Sequence, residues 1–164
     1  MSLLKIWPRK FFKNERIIRH IYTAHCNKSK SSLRANFVAF ALNEESGKYE
    51  LSCNRLEMTA LNYCNRLGRI NTPKDSNFEG FACTNVLTIT EFVDFSLYYS
   101  PLINKRVLNY SHSDIYHNKL PGIPKHELGE VLTSEINLQR NEFVKKWNAY
   151  FNSATIIQKS FITL

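Results

Sequence analysis

The residues best equipped for chemistry are gathered in one short stretch, Tyr110-Ser111-His112-Ser113-Asp114-Ile115-Tyr116-His117, with His126 following. Three of the five histidines lie here, between Arg106 and Lys119 or just beyond. On an extended strand Tyr110, His112, Asp114 and Tyr116 share one face, because side chains alternate with a period of two. Two chemistries fit. His112 and Asp114, with His117 or His126, carry imidazole and carboxylate groups that suit a divalent ion such as Zn or Mn. Alternatively, His112 or His117 serves as an acid or base on RNA while a neighbouring Lys or Arg steadies the phosphate. The candidate catalytic set is therefore His112, Asp114 and His117. The spacing H-x-D-x-x-H is not a metal signature, and a strand whose polar groups bond locally has the same composition. The sequence names no metal and no other cofactor.

A second feature is where the charge sits. The chain has 164 residues and a formal charge of +8, with a pI near 9.4. Up to and including Arg34 there are nine basic residues, opposed by Glu15 alone; the remainder is balanced, with 13 of each sign. Such asymmetry points to a polyanion or another acidic partner. Wound as a helix over about residues 8–25, opening at Pro8, this segment gathers Lys5, Arg9, Lys13, Arg16 and His20 within roughly an 80° arc. Arg19 lies beside them, and Trp7, Phe11, Ile18, Ile21 and Tyr22 fall opposite. Lys5, Arg9, Lys13, Arg16 and Arg19 are thus the expected phosphate contacts. The same stripe also suits an anionic membrane surface or an acidic protein, or simply a solvated face.

The elements that must position these groups follow from periodicity. Asn36–Leu42 is apolar on both faces and reads as a buried strand; the turn at 43–48 leads into a second strand at Tyr49–Cys53, making a hairpin. Asn54 and Glu57 resemble a capping box, with Leu56, Ala60, Tyr63, Cys64 and Leu67 at helical spacing and Gly68 as the stop. Arg55, Arg66 and Arg69 there add to the basic surface. A strand is expected over 80–87. A second helix is expected from Thr88 to Tyr99, halted by Ser100-Pro101. A polar strand follows over 107–116, then a Pro-rich loop. The last helix has the clearest stripe: Leu128, Leu132, Ile136, Gln139, Phe143, Trp147 and Tyr150, apolar but for one glutamine. Residues 155–157 and 161–162 suit a final strand.

Composition narrows the class. Hydrophobic residues make up 43% and aromatics 13%, enough for a core and against disorder. No apolar run is long enough to span a bilayer, and charges and Pro8 interrupt the start before a secretory core forms. A cytoplasmic protein is the expectation, with Cys26, Cys53, Cys64 and Cys83 reduced and mostly buried. Abundant Asn, Lys and Ile point to an AT-rich microbial or phage genome. No P-loop, dinucleotide fingerprint, nucleophile elbow or HExxH motif is present. The expected fold is a single α+β domain, with a mixed or antiparallel sheet of about four to five strands and about four helices. The expected function is nucleic-acid binding through the leading helix. The alternatives are a toxin-like ribonuclease or metal-dependent nuclease at the His/Asp site, and an interaction module docking on an acidic partner.

Overall fold

The computed structural model describes residues 10–103 and 107–151, with side chains as far as Asn148. The leading segment departs from the expected helix. Residues Arg16–Tyr22 form strand β1. The reason is physical. Ile17, Ile18 and Ile21 are β-branched, which favours a strand over a helix. These isoleucines also have two cores to fill, one on each side of a sheet, and all three are fully buried.

The further strands are β2 (Ala41–Asn43), β3 (Lys48–Arg55), β4 (Phe78–Asn85), β5 (Phe95–Tyr99), β6 (Leu102–Ile103), β7 (Leu108–Asn109), β8 (His112–His117) and β9 (Asn148–Phe151). The main sheet runs β5-β8-β3-β1-β4-β9, with β2 paired to β3 as a seventh strand, and β6 pairs with β7. Every one of these pairings is antiparallel. The helices are α1 (Leu61–Ile70), α2 (Val86–Thr90) and α3 (Glu130–Val144). The molecule is thus one α+β domain with more strands and fewer helices than the sequence suggested.

Three expected elements change shape. The helix expected to end at Tyr99 stops early: Asn85, not Thr88, caps α2 by accepting from the Thr88 amide, and Phe95–Tyr99 is a strand whose Phe95 enters the core. The strand expected over Asn36–Leu42 is a 3-10 turn at Ala35–Val38 that leads into the short β2. The last helix closes at Val144, and its stripe passes into β9. The final strand expected over 155–157 and 161–162 lies outside the described residues.

One sheet face carries Ile17, Ile21, Leu51, Cys53, Ala82 and Ile115 into the larger core. Phe37 and Val38 cover it from the 3-10 turn, together with Ile136, Phe143 and Trp147 at and beyond α3. Each large apolar side chain of this set contributes about 1.5–3 kcal/mol through burial. The other face carries Ile18, Phe81 and Cys83, which pack on Leu56, Cys64, Leu61 and Phe78. There α1 lies over the β1–β4 half. Gly68 does not end this helix, which runs on to Ile70; its lack of a side chain admits the Phe78 ring, since a Cβ there would come within 2.3 Å of it. The four described cysteines are free and buried. Among the described residues no helix is long and apolar enough to cross a membrane.

Two details set up the site. First, β1 pairs with β4 along its whole length but meets β3 only at Ile17↔Arg55 and Ile18↔Asn54. Beyond Ile18 the two central strands part. Second, β8 pairs with β3 so that Asn54 faces His112 and Ser52 faces Asp114. By alternation these four belong to the same sheet face as Ile18, next to the part that α1 covers.

Candidate functional site

Where β1 and β3 part, the guanidinium of Arg19 occupies the gap. Its Nε donates to Phe37 O at 2.9 Å and its Nη1 to Ser52 O at 2.5 Å. The second bond takes a carbonyl of β3 that β1 does not satisfy, so the side chain stands in for a missing rung of the ladder. Nη2 makes no hydrogen bond to a described residue. Burial lowers the Arg19 pKa to about 10, and the acidic groups Cys53, Tyr22 and Asp114 restore only part of the loss. No Asp or Glu oxygen among the described residues reaches ion-pair distance of this guanidinium.

From the gap between the strands Arg19 lines two clefts, one of about 260 Å³ beside Ala39, Ala41 and Leu51 and one of about 360 Å³ on the opposite side of the sheet. His20, Tyr22, Ser52, Asn54 and His112 line the larger cleft from the strands, Asn71 from the end of α1, and Asn109 from β7. A network buried beneath it fixes these groups. Asn54 Oδ1 accepts from Asn109 Nδ2 at 2.7 Å and from Ser111 Oγ at 3.2 Å. Asn54 Nδ2 has no bond to a described residue and is not sealed off from solvent, although the residue is only 5% exposed. That donor faces the cleft.

His112 is held on its other edge. Its Nδ1 lies 2.7 Å from Ser100 O. A carbonyl only accepts, so Nδ1 carries the proton and Nε2 holds the lone pair of the neutral ring. Asp114 does not pair closely with this ring: Nε2 to Oδ1 is 3.9 Å. Instead Asp114 accepts from Ser100 Oγ at 2.5 Å and from Ser52 Oγ at 3.2 Å. Ser100, tied through its hydroxyl to Asp114 and through its carbonyl to His112, sets the mutual position of the two. His20 is neutral at the cleft wall, its pKa lowered to about 4 by burial, with Nε2 at 2.9 Å from Cys64 O.

The structure brings together only part of each candidate set. His112 and Asp114 are neighbours, but His117 projects from the opposite face of β8. There its Nε2 meets Gln139 Oε1 at 2.8 Å between the rings of Phe40 and Phe95. His126 is exposed and paired with Glu127. Among the described residues no group of three or more His, Cys, Asp or Glu side chains is placed to hold a metal ion.

The basic stripe is likewise redistributed. Lys5 and Arg9 lie outside the described residues. Lys13 is exposed, Arg16 pairs with Glu57 at 2.7 Å, and Arg19 is the cleft cation. Arg16 and Arg19 stand three apart on a strand and so project to opposite faces. Arg55, expected at the surface, is 1% exposed and pairs with buried Glu15 beneath the Phe11 ring.

Sequence reasoning missed Ser100, Asn54 and Asn109. One signal was available for the asparagines. Asn is depleted in strands, so Asn54 and Asn109 inside strand-like runs call for a reason beyond local capping.

The chain matches no protein-family model, no curated protein and no solved structure.

Proposed function

We propose that this cleft binds a phosphate of single-stranded nucleic acid, with Arg19 as its cation. The observation that carries this reading is the guanidinium itself: part-buried, bonded to two carbonyls, with no carboxylate at ion-pair distance among the described residues and with Nη2 unused. A cation partly withdrawn from water costs free energy unless an anion compensates it, and the planar guanidinium suits phosphate. The surrounding amides, phenol and imidazole supply the directional contacts a nucleotide needs, and the volume is within the range of small-ligand sites. Nucleic-acid binding thus moves from the leading segment to the parting of β1 and β3.

This relocation changes the expected salt dependence. A five-cation stripe would give a steep slope, whereas one phosphate in a cleft gives a slope of about −0.7 in log K against log salt for a single strand. Fluorescence anisotropy with a labelled single-stranded RNA, titrated between low and moderate salt, reads this directly. Arg19→Gln should weaken binding by about 10- to 100-fold, the worth of a charged hydrogen bond. Arg19→Lys should restore part of it. Wild-type protein that binds no RNA at low salt, or an Arg19→Gln variant that binds as tightly as wild type, sinks the proposal.

A further inference from the structure

We infer that the cleft also cleaves RNA, with His112 Nε2 as the base and the substrate's own 2′-hydroxyl as the nucleophile; this rests on the phosphate-binding reading and adds a reaction to it.

The protein's own nucleophiles do not serve. Ser100 is the hydroxyl nearest His112, with Oγ 3.1 Å from Nδ1. Nδ1, however, is the protonated nitrogen, and the Ser100 proton points to Asp114. His112 therefore cannot take that proton, and Ser100 is not activated. The cysteines are no better placed. All four are buried, and burial raises the thiols of Cys64 and Cys83 to about 11 and that of Cys53 further; the thiolate is the reactive form. Tyr22 holds its proton more firmly than usual because of burial. None of these groups is poised to attack an ester, yet the cleft presents a fixed base.

The base is fixed by geometry. The Ser100 carbonyl sets the tautomer, and Asp114 sets Ser100 through its hydroxyl. Directly across the strand pair stands Asn54, where facing Cβ atoms are about 4.5–5.5 Å apart. Its Nδ2 opens onto the same cleft with no partner among the described residues. The cleft thus combines an acceptor at His112 and a neutral donor at Asn54 on one sheet face with the Arg19 guanidinium, which reaches its wall through the parting of β1 and β3. That set suits an internal transesterification, in which the substrate brings the nucleophile and the protein needs only to take a proton and stabilise a phosphorane.

In this step His112 Nε2 takes the proton of a ribose 2′-hydroxyl. The 2′-oxygen forms a bond to the adjacent phosphorus as the bond from phosphorus to the 5′-oxygen breaks. Arg19 and Asn54 donate to the non-bridging oxygens, whose charge grows. The departing 5′-oxygen takes a proton from water, and the hydroxide so formed takes the proton held by His112. The products are a 2′,3′-cyclic phosphate and a 5′-hydroxyl end. Asp114 and Ser100 act as positioning residues, holding the ring in its tautomer.

The test uses the full chain and a single-stranded oligoribonucleotide labelled at its 5′ end, beside the same sequence with 2′-O-methyl groups. Wild-type protein should cleave the first, leaving a 2′,3′-cyclic phosphate by mass spectrometry, and should bind but not cut the second. His112→Ala should lower the cleavage rate, measured at saturating RNA, by about 10²- to 10⁴-fold. Asp114→Asn should lower the rate and shift its pH profile. Binding without cleavage by wild type overturns the catalytic inference and leaves the phosphate site standing. Cleavage of the 2′-O-methyl strand, or undiminished cleavage by a folded His112→Ala, also overturns it. Absence of RNA binding removes both readings.

Discussion

Strand β8 carries a histidine at each end, and the two lie on opposite faces of the sheet. His117 faces the larger core. Its Nε2 is hydrogen-bonded to Gln139, whose Nε2 in turn donates to Asp94 at 2.6 Å. Phe40 and Phe95 close over the ring, each with its centroid 5.3 Å away, and burial pushes its pKa below the ordinary histidine value. His112 faces the cleft, held by a backbone carbonyl and set among Asn54, Ser52 and Arg19. The same residue type on the same strand is in one place a packed part of the core and in the other a group with an accessible working nitrogen. What separates them is alternation along the strand and what covers each face: α3 on one side, and an open parting between strands on the other.

The sharpest way to break this comparison is to empty the side chain that closes the core face. Phe143 is fully buried, with its ring against Phe92, Phe95 and Trp147. Phe143→Ala should cost about 3–5 kcal/mol of stability, read by chemical denaturation. A loss under about 1 kcal/mol would mean that α3 does not hold this face. A cleft-face change such as His112→Ala should fall well short of that while slowing RNA cleavage.

Acid provides the second separation. His20, His25 and His117 all have folded-state pKa values below their ordinary value, to about 4 for the first two, with burial the largest cause in each. The unfolded chain therefore binds protons that the folded chain refuses. Their contribution is intact above about pH 6.5 and is lost as the pH falls toward 4. His20 contributes at most about 1.4 kcal/mol per pH unit within that window. His25, which is only part-buried, contributes less because water screens it; His117 acts with the same sign. Around His117 the facing groups are Asp94, Gln139 and Lys119, and Asp94 moderates the effect without cancelling it. Denaturation midpoints at pH 7, 6 and 5 should decline steadily. A flat series would show that these rings are hydrated in solution.

The contrast between the two faces also decides what could be read without coordinates. The α3 stripe was legible because its period is strong, and its single polar member, Gln139, is accounted for as the partner of His117. The hairpin of β2 and β3 was legible from its turn, and the shared face of His112 and Asp114 from simple alternation. The leading strand was not. Lys5, Arg9, Lys13 and Arg16 happen to align at 100° per residue, and the isoleucines that carry the strand signal follow directly after them. What decided β1 was a pair of cores on either side of the sheet, a tertiary condition that no local window contains. The cleft was hidden for a related reason. Arg19 has its role only because β1 and β3 diverge after Ile18, and Ser100 only because β5 ends beside β8. The burial of Arg55, expected at the surface, was hidden in the same way, since its partner Glu15 comes from the leading segment and meets it only across the fold.

The finest test compares two serines near the start of β8. Ser111 Oγ lies 2.8 Å from Asn109 Oδ1 and 3.2 Å from Asn54 Oδ1, within the network that aims the Asn54 donor. Ser113 is fully buried on the core face, and its Oγ has no partner among the described residues. A buried hydroxyl without a hydrogen bond destabilises, whereas a bonded one holds its neighbours in place. Ser111→Ala should therefore cost about 1–2 kcal/mol and weaken RNA binding, because Asn54 and Asn109 lose a shared contact. Ser113→Ala should leave stability within about 0.5 kcal/mol of wild type, tending upward, and leave binding alone. The bond from Cys53 Sγ to Ser113 O survives that change, so the hydroxyl is the only group removed. Equal losses from the two variants would mean that the core face of β8 holds a polar contact of its own, and the division between the faces would no longer stand.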